Sequence, residues 1–441
     1  MTSLAAGVRG HADVDGLWGV AARSKTAAGQ RFWAWADQGV VSLGNFLSYL
    51  LIARALPPAE FGVYAVLFAV VLVLNTFHAA LITFSLSLRG PAIDPTRLGQ
   101  LTSTALLATA VLSGLLSCLA GVAVWSTGRP GLIPFVVTAL VCWQFQETTR
   151  TAFFAHFRQL NALPGDVVSY LGQAALLLVL SRRGALTLES AFLAMGVTSA
   201  AALGLQAWQL RLPLPSLSHW TDFVRDAASF GTWGVPARIG TLFSMQAFPW
   251  MLFYTHGAAV AAVFQALCSA LAFSNPVMIG TANLVTATVA GGRGPDRFRV
   301  ALRHAWHGWA MITPFFAVVA LFPAVTLRLL YGSSSTYPQY ASLLWLVVVA
   351  YACEAIAMQA AAVIGGLGKT RTLFMVQSTG LLIAVTFGLP MAAYGGLNAA
   401  LIGFVVVQMG RVAYGLWAWS RLWPLEESPP QARWQLAEGA R

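Results

Sequence analysis

Glu147 and Arg150 stand three residues apart in QETTRTAFFAHFR (146–158), a run that follows the apolar stretch PGLIPFVVTALVCW. A carboxylate and a guanidinium at that spacing share a helix face and can pair, which lowers the cost of placing either in hydrocarbon. That cost is about 2.5–3.5 kcal/mol for one charge at mid-bilayer, so such residues face a protein interior or a watery cavity. Glu147, Arg150, Thr151, Phe154 and Arg158 lie on one side of the predicted helix, while Val141, Cys142, Phe145, Ala152 and Phe153 cover much of the other. Two readings follow: a structural ion pair joining two helices, or one polar wall of a cavity.

The same residue types recur along the chain. Asp37 and Arg238 sit at similar depths near the starts of the first and seventh apolar segments, and are expected to meet across a central seam. Arg411 lies midway along the twelfth segment, and Glu354 of the tenth is the counterpart of Glu147 in the fourth. Arg54, near the far end of the first, is placed to snorkel to the interface as an anchor. Gln38, Ser42 and Asn45 form a stripe on the first segment, and Asn75 with His78 an i, i+3 pair on the second. A helix–helix hydrogen bond explains each of these as well as a ligand contact does. The candidate binding set is therefore Arg150, Arg238, Arg411, Asn45 and Gln38, with Asp37, Glu147 and Glu354 as charge partners or ion-coupling groups.

These residues must be positioned by membrane helices. Of 441 residues, 58% are hydrophobic and 9% charged, with a mean hydropathy of +0.69, whereas a soluble domain carries about 25% charged residues. Apolar runs long enough to cross roughly 30 Å of hydrocarbon fall near 32–56, 61–88, 98–126, 131–157, 165–181, 187–210, 227–254, 258–289, 300–323, 339–364, 372–393 and 396–420. Turn-forming stretches such as LPPAE (56–60), STGRPG (126–131), NALPGD (161–166), GGRGPD (291–296) and YGSSSTYP (331–338) separate them. Pro236, Pro249 and Pro276 predict bends in the seventh and eighth spans.

With twelve spans, the 26 Lys and Arg divide into eighteen on one side, five on the other (Arg54, Arg129, Arg182, Arg183, Arg328) and three within spans. That asymmetry makes both termini cytoplasmic and explains most of the +11 net charge, so no nucleic-acid partner is expected. The break RLPLPSLSHWTDFVRD (211–226) divides a six-helix lobe at 32–210 from a second at 227–420, with cytoplasmic tails at 1–31 and 421–441. The tail at 1–31 is too polar to read as a cleavable signal peptide. The expected architecture is an all-α polytopic membrane protein of about twelve transmembrane helices in two six-helix lobes around a central cavity. Two halves of like orientation are a transporter pattern, with the site between them.

Other chemistries lack support. GGLGKTR (365–371) resembles a phosphate loop, but Val363 stands where that loop needs its first Gly, and the segment joins two membrane helices. Asp13 and Asp15 have the DxD spacing of metal-dependent glycosyltransferases but lie in the polar N-terminal tail. Cys118, Cys142, Cys268 and Cys353 show no redox or metal spacing, and His156, His256, His304 and His307 no ligand pairing. Neither an enzyme, a metal site nor a cofactor is expected.

The stretch WADQGVVSLGNFLSYLLIARALPPAEFGVY (35–64) resembles the first-to-second-span region of polysaccharide biosynthesis membrane proteins. These are the O-antigen and exopolysaccharide flippases of the multidrug/oligosaccharidyl-lipid/polysaccharide (MOP) superfamily. ARALPPAEFGVY is similar to their ARxLGPxxFGxY turn, with Pro57 in place of the usual Gly, and QETTRTAFFAHFRQLNALPGDVVSYLGQ (146–173) is a looser match. The resemblance implies a V-shaped pair of lobes around a cationic cavity in the bacterial cytoplasmic (inner) membrane. It implies a flippase that turns a polyprenyl-diphosphate-linked oligosaccharide from the cytoplasmic to the outer leaflet, with Arg150, Arg238 and Arg411 on the phosphates or acidic sugars. The coupling ion would be H+ or Na+; membrane lipids, and polysaccharide polymerase or export machinery, would be partners. A multidrug/ion antiporter of the same superfamily is the alternative, and a membrane glycosyltransferase or polymerase a more distant one.

Overall fold

A backbone in hydrocarbon must satisfy its own hydrogen bonds, and helices do so within one segment. The computed structural model describes residues 26–89, 95–155, 158–213, 220–291 and 296–427, and among these no strand occurs. The first six expected spans are α1 (Thr26–Ala55), α2 (58–89), α3 (Pro95–Ser126), α4 (Ile133–Ala155), α5 (159–182) and α6 (Leu188–Leu210). The rest are α7 (Trp220–His256), α8 (258–291), α9 (Asp296–Leu321), α11 (337–366), α12 (370–395) and α13 (397–427). A short helix, α10 (Pro323–Tyr331), turns 95° from the end of α9 at Pro323. The sequence reading has no helix there, because nine residues are too few for a span.

Among the described residues, seven helical segments are long and apolar enough to cross a membrane, one of them covering α12 and α13 together, and α9 with α10 makes an eighth. The helices α1, α4 and α7 are not among these segments; they carry Asp37, the Glu147/Arg150 pair and Arg238. Seven residues of the expected 211–226 break, 220–226, are helical in α7. Phe223 explains this: it is buried against Ile82, Leu86, Ala105 and Ala108 of the first lobe. Gly396, at φ 66°, lies where α12 ends and α13 begins, a conformation that costs a residue with a side chain far more than it costs glycine.

Pro249 is absorbed within α7, whereas Pro276 follows a 3-10 turn at Ala272–Ser274 that interrupts α8. Single π turns widen α2 at Ala79–Thr83, α5 at Val167–Leu171 and α12 at Ala384–Gly388. Such insertions occur often at functional sites.

The two lobes meet most tightly at the ends of their helices opposite the basic connections. At Gly62 of α2 an added Cβ would stand 1.8 Å from the Ala258 carbonyl oxygen of α8, so only glycine permits that approach. Nearby, the Trp250 indole donates to the Val66 carbonyl (3.2 Å), and the hydroxyls of Ser126 and Tyr254 lie 2.6 Å apart. Phe61 meets Tyr337 edge-on, and the Arg54 guanidinium donates to the carbonyls of Leu329 and Leu330 at the C-terminus of α10. Lipid is as apolar as leucine, so close packing and hydrogen bonds, more than hydrophobic burial, hold such a contact.

Candidate binding cavity and its charged clusters

Within the first lobe, three helices bring carboxylates to one guanidinium. Arg150 of α4 donates through Nη2 to Asp37 of α1 and through Nε to Asp166 of α5, each at 2.6 Å, and lies 3.4 Å from Glu147 through Nη1. Asp37 and Asp166 are 1% and 0% exposed, against 18% for Arg150, so the arginine is what compensates two fully buried acids. The ends of the carboxylates are held in turn. Tyr170 donates to Glu147 (2.8 Å), Trp143 donates to the Tyr170 hydroxyl (3.1 Å), and Gln146 donates to Asp166 (3.0 Å).

Local sequence makes this meeting possible. Gly44 lets α1 press against α5, since an added Cβ would stand 2.6 Å from the Tyr170 Cβ. Phe154, one turn along α4, lies beneath the guanidinium with 4.9 Å between Cζ and the ring centre, a favourable cation–π distance. A second buried network lies beside it, where His78 Nε2 is 3.1 Å from both Thr109 and Thr148, and Ser113 donates to Gln144 at 2.6 Å.

Among the described residues, the second lobe holds a buried Glu–Arg pair. Arg411 of α13 is 2% exposed and donates to Glu354 of α11, to Gln408 at 2.7 Å and to Gln377 of α12 at 3.1 Å. Gly380 leaves room for it: an added Cβ would stand 2.6 Å from the Arg411 Cδ. Each lobe thus carries a Glu–Arg contact, and the two glutamates are the ones expected as counterparts.

Between the lobes lies a cavity of about 400 Å³. From α1 it is lined by Gln38, Ser42, Asn45 and Tyr49; from α2 and α4 by Phe68 and Trp143; from α7 and α8 by Gln246, Gln265 and Asn275; and from α11 by Tyr351 and Glu354. Its described walls combine these polar groups, one of them a carboxylate, with aromatic rings and an apolar surface that includes Leu72, Met245, Met278, Ile279 and Met358. Half-buried polar side chains that converge in this way fix the orientation of a polar ligand, while the rings supply contact area.

The eight expected site residues fall into distinct places. Gln38, Asn45 and Glu354 line the cavity. Arg150, Asp37 and Glu147 belong to the first-lobe cluster, and Arg411 to the second-lobe pair; none of these four is among the residues lining the cavity. The Arg238 side chain lies outside the described residues. Asp37, expected opposite Arg238, is bonded to Arg150. Arg54, expected to snorkel, instead bonds the end of α10.

Sequence reasoning passed over Asp166 and Tyr170. Asp166 reads as the end of the NALPGD turn, yet it begins an apolar run, and an acid at a span boundary after Pro-Gly is a signal that could have included it. The partners of His78 carry no such signal, since Thr109 and Thr148 are ordinary residues within apolar helices.

No protein-family model matches this sequence, and no curated protein is significantly similar to it. The fold does have solved relatives. An inward-facing conformation of a multidrug resistance MATE family transporter of the MOP superfamily superposes with a TM-score of 0.70 at 15% identity, over 88% of this chain and 98% of that one. An outward-facing conformation of a transporter of that family gives 0.66 at 15% identity, over 90% and 95%. A MOP superfamily transporter from Pyrococcus furiosus, whose binding pocket is described as of reverse polarity, gives 0.66 at 14% identity over 90% and 95%. The chain has the two-lobed, twelve-span fold of MATE family transporters of the MOP superfamily.

Proposed function

We propose that the protein carries a lipid-linked oligosaccharide from the cytoplasmic to the outer leaflet of the bacterial inner membrane by alternating access of its two lobes. The positive-inside rule makes the basic side cytoplasmic. The seal around Gly62 then closes the outer side, and the higher TM-score against the inward-facing relative, 0.70 against 0.66, supports the same state.

The observation that carries the substrate class is the cavity wall of Gln38, Asn45, Gln246, Gln265 and Asn275 among Tyr49, Phe68 and Trp143. Amides offer donors and acceptors together, which suits a hydroxyl-rich glycan, and ring faces suit its C–H surfaces. Arg150, Arg238 and Arg411 are the proposed partners for the diphosphate, as Arg binds phosphate in a planar fork. Arg150 and Arg411 reach it by exchanging carboxylate partners as the lobes rock.

The first-lobe cluster also suits ion coupling. Three carboxylates around one guanidinium leave a formal excess of two negative charges when all are ionised, and H+ or Na+ is the species that would balance it. One observation favours a second reading, a multidrug/ion antiporter: Glu354 places a carboxylate at the cavity wall, where a cationic compound would compete with Arg411 for it.

Proteoliposomes separate the two. With a fluorescent polyprenyl-diphosphate oligosaccharide in the bilayer, the protein should speed its arrival in the opposite leaflet, and Gln38→Ala with Asn45→Ala should abolish that. Transport of ethidium without movement of the lipid-linked sugar would overturn the flippase reading in favour of the antiporter.

A further inference from the structure

A larger cavity, of about 520 Å³, lies outside the seam, in a groove of the second lobe between α9, α11 and α13. The helix α11 separates the two spaces. Its Glu354 and Met358 line the central cavity, while Ile356, Ala360 and Val363 line the groove. At its mouth stand Arg299 and Arg303, one helical turn apart on α9, and beyond them come Trp306, Trp309 and, from α13, Trp419.

The dimensions match one leaflet. From Arg299 to Trp309 is ten residues of α9, about 15 Å at 1.5 Å per residue, or half of the roughly 30 Å hydrocarbon core. The mouth is accessible, with Arg299 80% and Trp306 71% exposed. Arg299 lies 3.6 Å from Asp296, an acid that is itself 83% exposed and so competes weakly for the guanidinium. A cationic mouth over an apolar slot of leaflet depth is complementary to a lipid with an anionic head and one chain to insert.

We propose that this groove binds an anionic glycerophospholipid of the leaflet on the basic side, its phosphate on Arg299 and Arg303 and one acyl chain among the three tryptophans. The site is independent of the central cavity and of what that cavity carries.

The test uses the full chain purified into mixed micelles containing dioleoylphosphatidylglycerol or dioleoylphosphatidylcholine, with retained lipid counted by native mass spectrometry. The wild-type chain should keep one phosphatidylglycerol with a preference of roughly 25-fold over phosphatidylcholine, about fivefold for each arginine. Arg299→Ala with Arg303→Ala should remove that preference with the melting temperature unchanged, as expected for two exposed side chains. Ala305→Phe, which fills the slot, should lower retention of the lipid. Equal retention of the two lipids by the wild type would overturn the proposal, as would an undiminished preference in the double variant. So would displacement of the phosphatidylglycerol when a polyprenyl phosphate is added to the micelles at equal concentration.

Discussion

Asp37 and Arg150 meet at 2.6 Å across 113 residues of sequence, one from the first helix of the lobe and one from the fourth. The contact gives the buried acid its charged partner. It also ties α1, which supplies Gln38 and Asn45 to the cavity, to the helix that carries Glu147.

Removing Arg150 leaves Asp37 and Asp166 buried without compensation, so Arg150→Ala should destabilise the protein by about 3–5 kcal/mol. Asp37→Asn, which keeps the shape and some of the hydrogen bonding, should cost roughly 1–3 kcal/mol. Combining Arg150→Ala with Asp37→Ala should cost less than the sum of the two single changes by about 0.5–3 kcal/mol. Unfolding followed in detergent reads all of these, and strictly additive effects would mean that the contact does not form.

Gly62 sets how closely the lobes approach. Gly62→Val should force the outer ends apart, because even a Cβ collides with the Ala258 carbonyl. Spin labels at Ala59 and Ala259, both exposed, should report a longer distance in the variant than in the wild type. An unchanged distance distribution would show that the seal does not depend on this approach.

Arg54 bonds the exposed end of α10 from the opposite lobe. A cation at a helix C-terminus contributes about 0.3–1 kcal/mol, so Arg54→Ala should lower the population closed on the outer side by up to roughly fivefold. Arg54→Lys should restore only part of this, since an ammonium lacks the two-pronged fork that meets both carbonyls. The same pair of labels measures it, with equal populations in all three proteins as the contrary result.

Gly380→Val tests the second-lobe pair without removing a charge. The new side chain would occupy the space of the Arg411 Cδ, and overpacking at this level costs about 1–3 kcal/mol. The proposed transport of a lipid-linked oligosaccharide should fall together with stability, as Arg411 is pushed off Glu354 or Gln377. Full transport in a well-folded Gly380→Val protein would separate this pair from the working of the cavity.

The twelve helical segments were legible because a bilayer imposes one demand on all of them: apolar length with internally satisfied backbone. The charged side chains within them were legible too, since Asp37, Glu147, Arg150, Glu354 and Arg411 are conspicuous in a chain with 9% charged residues. Their partners were less so. Helical spacing finds Glu147 beside Arg150, but nothing in one dimension brings Asp166 to the Nε of that guanidinium, nor Arg54 to the end of α10. Helix α10 itself and the three π turns are too short to leave a hydropathy signature.

Sequence alone determined that this chain crosses a membrane repeatedly, that its halves match in number of spans, and which side chains would be costly to leave unpaired. Those follow from transfer energies that act residue by residue. Tertiary structure decided which of the costly residues face one another. Asp37 went to Arg150 and Arg411 to Glu354, which lines the cavity beside amides, rings and apolar side chains. That choice depends on how closely helices approach at Gly44, Gly62 and Gly380, where the absence of a side chain sets distances that no hydropathy pattern contains.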